Sequence, residues 1–259
     1  MNPYFLNVLI TGASSGLGAA LARECAAPGV TLHLSGRDME RLGGVVDAAR
    51  ARGASVRPVV IDVRDAETMA EWIQGAGRLD LVICNAGVGA GTGDAWESAD
   101  AARRVFDTNV TGVLNTALPA IEVMAGQERA RDGWRGHVAV VASLAAFVAG
   151  PSAPAYAASK SAVQRWAEAR DATERKRGIR MHSICPGFVR TPMTADNPFP
   201  MPLLMDAEEA ARRTMAGLAV GRLRIAYPRR IYWLARAVGG LPPGLLNRLL
   251  GATPPKPRG

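Results

Sequence analysis

The sequence predicts one α/β domain built on a doubly wound parallel sheet of about seven strands, with helices on both faces. Three observations predict it. Short aliphatic runs alternate with longer helical stretches from the first residues onward. The strand runs are almost continuously apolar, as strands covered on both faces must be. A glycine-rich turn joins the first strand to the first helix. With 259 residues the chain can bury one sizeable core, and 48% hydrophobic against 21% charged residues excludes a disordered or coiled-coil chain.

Residues 7–11 read as the first strand, 16–27 as the helix after it, and 31–35 as the second strand. Residues 38–52 are a helix, with Asp38 placed to cap its N-terminus and Arg50 and Arg52 near its end, where cations suit the dipole. Strands follow at 56–61, 79–84, 137–142 and 180–184, separated by helical stretches at 66–74, 99–124 and 156–175. After Ile184 the rhythm breaks. Residues 186–206 interleave Pro186, Pro192, Pro198, Pro200 and Pro202 with Phe188, Met193, Phe199, Met201, Leu203, Leu204 and Met205, and loops this long are usually functional. Asp206 with Glu209 resembles a capping box opening a helix to about Leu218. Residues 224–227 read as a last strand, and 231–238 and 243–250 as short helices, the second with Leu245, Leu246, Leu249 and Leu250 on one face. The proline-rich end, 253–259, is expected to fray.

Chemistry concentrates in a few places. Thr11-Gly12-Ala13-Ser14-Ser15-Gly16-Leu17-Gly18 lets the backbone turn tightly and approach a pyrophosphate over a helix N-terminus. The second strand ends in Gly36-Arg37, where a carboxylate would select the ribose 2′-hydroxyl of NAD. Arg37 can instead clamp the 2′-phosphate of NADP, so NADP(H) is the expected cofactor and NAD(H) stays open; a solvated surface arginine is the plainer alternative. Asp62 ends the third strand and is placed for the adenine edge, while Asn85-Ala86-Gly87 ends the fourth. Tyr156 and Lys160 lie four apart on one helix face, where an ammonium would stabilise the phenolate and lower the Tyr pKa. Ser143 closes the fifth strand on the ligand-binding edge, with a hydroxyl for a substrate oxygen. His33, His137 and His182 sit in strand patterns and read as packed or solvated, and no metal site is expected.

Taken together these residues resemble the short-chain dehydrogenase/reductases, in their single-domain Rossmann-like branch. The likeness covers roughly residues 7–191. It rests on the Thr-Gly-x-x-x-Gly-x-Gly turn, Asn85-Ala86-Gly87, Asn109, Ser143, Tyr156-x-x-x-Lys160, and Pro186-Gly187 with Thr191. Cys84 departs from it, since the family often has a second Asn there. The resemblance implies a catalytic tetrad: Tyr156 exchanges the proton, Ser143 orients the substrate oxygen, Lys160 holds the nicotinamide ribose, and Asn109 anchors a relay water. It implies a cofactor site of Gly12, Ser14, Ser15, Gly16, Leu17, Gly18, Arg37, Asp62, Val63, Asn85, Ala86, Gly87, Tyr156, Lys160, Pro186, Gly187, Val189 and Thr191. It also implies a homodimer or homotetramer reducing a carbonyl or oxidising the matching alcohol. A non-catalytic dinucleotide sensor, or a membrane-associated regulator on the same fold, is the alternative, but such a protein would be expected to lose Tyr156 or Lys160.

Charge divides the chain. Residues 1–209 carry 21 basic against 23 acidic side chains, whereas 210–259 carry 10 basic and no acidic one. A uniformly basic nucleic-acid binder would not look like this, and none is expected. Residues 1–227 therefore read as the dinucleotide-binding and catalytic domain, including the substrate loop 186–206. Residues 228–259 read as its basic, apolar helical extension, suited to a subunit interface, a cover over the cleft, or peripheral contact with an anionic membrane. The apolar loop suggests an apolar substrate, or packing against that extension. Cys25, Cys84 and Cys185 form no disulfide framework, and with no visible leader or spanning stretch a cytoplasmic location is expected.

Overall fold

The computed structural model describes residues 5–89, 96–195, 197 and 200–251. Pro198, Phe199 and the expected frayed end at 253–259 lie outside the described residues. In chain order the elements are β1 (Asn7–Ile10), α1 (Gly16–Cys25), β2 (Thr31–Gly36), α2 (Met39–Arg50), β3 (Ser55–Val60), α3 (Ala66–Gln74), β4 (Leu81–Cys84), α4 (Ala99–Phe106), α5 (Gly112–Ala125), β5 (Gly136–Val141), α6 (Pro154–Glu174), β6 (Ile179–Pro186), β7 (Val189–Arg190), β8 (Met205–Asp206), α7 (Ala207–Ala219), β9 (Arg224–Tyr227), α8 (Arg229–Gly239) and α9 (Pro243–Leu250).

Seven strands form one parallel sheet in the order β3-β2-β1-β4-β5-β6-β9. Side chains alternate across it. Val8, Ile10, Leu81, Ile83, Ala139 and Ile184 face one core, shared with α1, α2 and α7; Leu9, Val82, Cys84, Val138, Val140 and Cys185 face the other, shared with α3, α5 and α6. This is the doubly wound architecture the sequence predicts. The chain order reverses between β1 and β4, so their carboxyl ends part and open a crevice.

Most elements fall within a few residues of expectation. Asp38 caps α2, its Oδ1 accepting from Arg41 N at 3.0 Å. All three histidines are buried and all three cysteines are buried and free. Two expectations change. The helix expected over 99–124 is broken: α4 gives way to a π-helical turn, Asp107–Thr111, before α5 resumes. Here Asn109 reaches back to Val88, and Gly112 packs so tightly that a Cβ would lie 2.5 Å from Val63 Cγ2. The capping box at Asp206 does not form, because the Asp206 carboxylate faces Arg190 and Glu209 pairs with Arg212 and Arg213. On α9 only Leu246 is buried, leaving Leu245 and Leu249 exposed. The long loop holds a two-residue parallel ladder, β7 with β8, that buries Val189 and Met205. Among the described residues no helix is long and apolar enough to cross a membrane.

Candidate active site

The crevice at the carboxyl ends of the strands is a cleft of about 320 Å³. Its floor is the turn between β1 and α1. Gly12 and Gly16 take left-handed backbone angles, φ 65° and 54°, and a Cβ on Gly18 would lie 2.2 Å from the Gly12 carbonyl oxygen. The turn is stapled to the end of β4. Asn85 Nδ2 donates to the carbonyls of Thr11 and Gly12, both at 3.0 Å, while Thr11 Oγ1 accepts from the amides of Asn85 and Ala86, both at 3.1 Å. Ser15, the N-cap of α1, makes no side-chain cap, so the first-turn amides of α1 are left for a ligand. A bare, glycine-lined helix N-terminus fits a dinucleotide pyrophosphate.

At one end of the cleft, exposed Arg37 lies with Asp38 and Arg41. Asp38 is engaged by its own helix, with Arg41 Nε 3.1 Å from its Oδ2. Asp62 also lines the cleft, and Arg64 holds its carboxyl below the usual carboxylate range through a paired contact at 2.6 to 3.1 Å.

At the other end, Ser143, Tyr156 and Lys160 come together. Ser143 is the N-cap of a 3-10 turn, Leu144–Phe147, and its hydroxyl hydrogen-bonds the Tyr156 phenol. That turn is braced from behind by Phe147, whose ring centroid is 5.3 Å from that of Tyr232 and 5.2 Å from the Arg224 guanidinium. Lys160 is buried, with Nζ donating to the Val141 carbonyl at 2.8 Å and lying 5.8 Å from the Tyr156 ring centre. The lowering of the Tyr156 pKa expected from Lys160 is not found. Burial pushes the phenol up, the Ser143 bond offsets only part of that, and burial pulls Lys160 down to about 8.

Every residue expected to hold the cofactor lines this one cleft, as do Ser143, Tyr156 and Lys160. Asn109 does not. It is fully buried behind the cleft, accepting from Val88 N at 2.8 Å and donating to Val88 O at 3.0 Å and Ser159 Oγ at 3.1 Å. Among the lining residues that sequence reasoning missed are Arg41, Val88 and Thr108, while Met193 and Thr194 come from the expected substrate loop. Arg41 was findable, since it stands one helical turn after Arg37; the others depend on where loops fold back. No group of metal-ligating side chains occurs among the described residues.

The family model for short chain dehydrogenases matches residues 6–199. An oxidoreductase of Myxococcus xanthus is 36% identical over 247 residues, covering 94% of this chain and 95% of its own. Among solved structures, a short chain dehydrogenase/reductase from Burkholderia phymatum in complex with NAD is 27% identical with TM-score 0.80, the match covering all of both chains. A short chain dehydrogenase from Burkholderia cenocepacia in complex with NADP is also 27% identical with TM-score 0.80, over 98% of this chain and 100% of its own. The fold, the glycine turn and the Tyr-Lys helix thus agree with the match across most of the sequence: this chain belongs to the short-chain dehydrogenase family.

Proposed function

We propose that this chain is an NADP(H)-dependent enzyme that reduces a carbonyl, or oxidises the matching secondary alcohol, of an apolar small molecule. One observation carries the reading: Ser143, Tyr156 and Lys160 converge on the same cleft that the glycine turn and Arg37 border. Bound NADP(H) supplies or accepts the hydride. In this reading the α1 amides and the Gly12 to Gly18 turn hold its pyrophosphate, Asp62 and Val63 border the adenine, and Asn85, Ala86 and Gly87 pack beneath it. Pro186, Gly187, Val189 and Thr191 border the nicotinamide. Arg37 clamps the 2′-phosphate, helped by Arg41; of the carboxylates nearby, Asp38 is already bonded to its own helix and to Arg41, and Asp62 is paired with Arg64.

Ser143 Oγ orients the substrate oxygen, and Tyr156 Oη gives that oxygen a proton during reduction and takes it back during oxidation. Burial keeps the phenol protonated near neutral pH, the form reduction requires. Lys160 holds the nicotinamide ribose, and Asn109 anchors the water that returns the proton. Met193 and Val88 give the cleft an apolar side, which supports an apolar substrate. Residues 228–259 act as an extension of the catalytic domain 1–227. Their described residues brace the Ser143 turn and do not line the cleft. Exposed Trp233, Leu234, Leu245 and Leu249 beside Arg229, Arg230 and Arg248 give this extension a contact surface, for a second subunit of a homodimer or homotetramer or for an anionic membrane. Co-sedimentation with anionic vesicles separates the two.

Calorimetric titration of NADPH and NADH into wild type and Arg37→Ala tests the cofactor reading. NADPH should bind at least about tenfold more tightly, and the variant should lose most of that gap. Equal binding of both would remove Arg37 from the site. Binding of neither would overturn the glycine-turn reading itself.

A further inference from the structure

We infer that Glu97 is a positioning residue for Tyr156, closing the N-terminus of the helix that carries the phenol. The inference rests on the reading of Tyr156 as the proton donor. α6 starts without a cap of its own, since Ala153 occupies the N-cap and offers no side-chain acceptor. Pro154, at the first helical position, has no N–H to satisfy, so Ala155 N is the first amide that needs an acceptor. Glu97 supplies it from 58 residues upstream, with Oε1 and Oε2 at 3.2 and 3.1 Å from Ala155 N. The bonded amide belongs to the residue immediately before Tyr156.

The next residue, Ser98, caps a different helix, its Oγ accepting from Ala101 N at the start of α4 at 3.2 Å. Two adjacent side chains thus fix the starts of α4 and α6 at one joint. Between those helices lies a small apolar cluster separate from both main cores: Val105 and Ala155 are buried in it, and Val88, Ala101, Ala102 and Tyr156 pack against them. A cluster of this size has little burial with which to hold the ring, so the joint sets its place more than it would in a large core. Asn109 fixes the opposite side by clamping Val88.

The carboxylate has a second consequence. A helix N-terminus favours negative charge, and Glu97 places one there, on the amide of the residue before Tyr156, whose phenol must itself become an anion. Among the described residues, Lys160 on its own helix lies 5.8 Å from the Tyr156 ring centre, and beyond it lies Cys185 of β6. Asp100, Arg103 and Arg104 of α4 lie on its exposed face. Removing the Glu97 charge while keeping its acceptor should therefore ease ionisation of the phenol.

The test compares Glu97→Gln with Glu97→Ala. Tyrosinate absorbance is titrated as a difference, each protein minus its Tyr156→Phe counterpart, which isolates the Tyr156 phenol without any turnover. Glu97→Gln should lower that midpoint by about half a pH unit. NADPH-dependent reduction of phenanthrenequinone, an apolar dicarbonyl, is measured alongside. Glu97→Ala should lose about tenfold in kcat with KM for NADPH unchanged, and Glu97→Gln, which keeps an acceptor for Ala155 N, should retain at least about a third of wild-type kcat. Coincident midpoints together with wild-type kcat in Glu97→Ala would overturn the inference. If Tyr156→Phe itself stayed active, the proton-donor reading would fail instead.

Discussion

At the amino ends of the strands, side chains close one backbone group after another, whereas at the carboxyl ends the backbone is left open to a ligand. Asp80, at the start of β4, accepts from Leu6 N and Asn7 N at 3.0 and 2.8 Å and from Arg78 Nε at 2.8 Å. Gln127 bridges Leu79 and Arg135, and Asp171 accepts from Met181 N at 3.0 Å. His137 and His182 form a buried chain from Asp132 to the Arg222 carbonyl. The opposite end has a glycine-rich turn and an α1 whose N-cap side chain makes no cap. The closed edge carries stability, and the open edge holds its polar groups ready for a cofactor.

Replacement of Tyr156 by Phe should show the largest effect and the cleanest separation. Removing one hydroxyl from the open edge should lower kcat about a thousandfold, roughly 4 kcal/mol in the barrier, while the NADPH dissociation constant stays within about twofold. Steady-state kinetics and calorimetry on the same preparation measure both. A variant that kept turnover would mean that the open edge holds no proton donor at Tyr156.

Asp80→Ala is the mirror experiment. It strips the acceptor from the amides of Leu6 and Asn7 and a partner from Arg78, at a residue only 9% exposed. The expected cost is about 3 kcal/mol of unfolding free energy in urea denaturation, with kcat/KM at 25 °C unchanged within about twofold. A loss of turnover matching the loss of stability would show that the two edges are not separable.

How much of this was legible in the sequence follows the range of the interactions involved. The strands, most helix positions and the cleft-lining motifs depend on local patterns, namely apolar runs, turn glycines and the spacing of Tyr156 and Lys160. Long-range facts left no such trace. The π-helical break at Asp107–Thr111 exists because Asn109 reaches Val88, and Glu97 caps a helix that begins 57 residues later in the chain, at Pro154. The Asp206 cap fits the local pattern but loses its carboxylate to Arg190, on a two-residue strand within the proline-rich stretch. The Tyr156 pKa went the other way from expectation because burial, which no spacing rule reports, outweighs its neighbours.

The smallest effect lies in the histidine chain and appears only in acid. His182 Nδ1 is 2.7 Å from the Arg222 carbonyl and must donate to it, so its Nε2 accepts from His137 Nδ1 at 3.0 Å. His137 Nε2 then faces Asp132 Oδ2 at 2.9 Å. A second proton on His182 would place like charges side by side in a buried site, and burial already pulls its pKa down to about 4. Above pH 6.5 the ring is neutral in both folded and unfolded chains and contributes no slope. Below it the unfolded ring takes up a proton that the folded ring refuses, so stability falls steadily towards pH 4. His182→Asn keeps a donor for the Arg222 carbonyl but removes the titration. Its stability curve should be flatter over that window, with about 1 kcal/mol less loss than wild type between pH 6.5 and 5.5. Parallel curves from urea titrations at half-unit steps would mean that the ring is protonated as readily inside the fold as outside, and that the closed edge is not closed to protons.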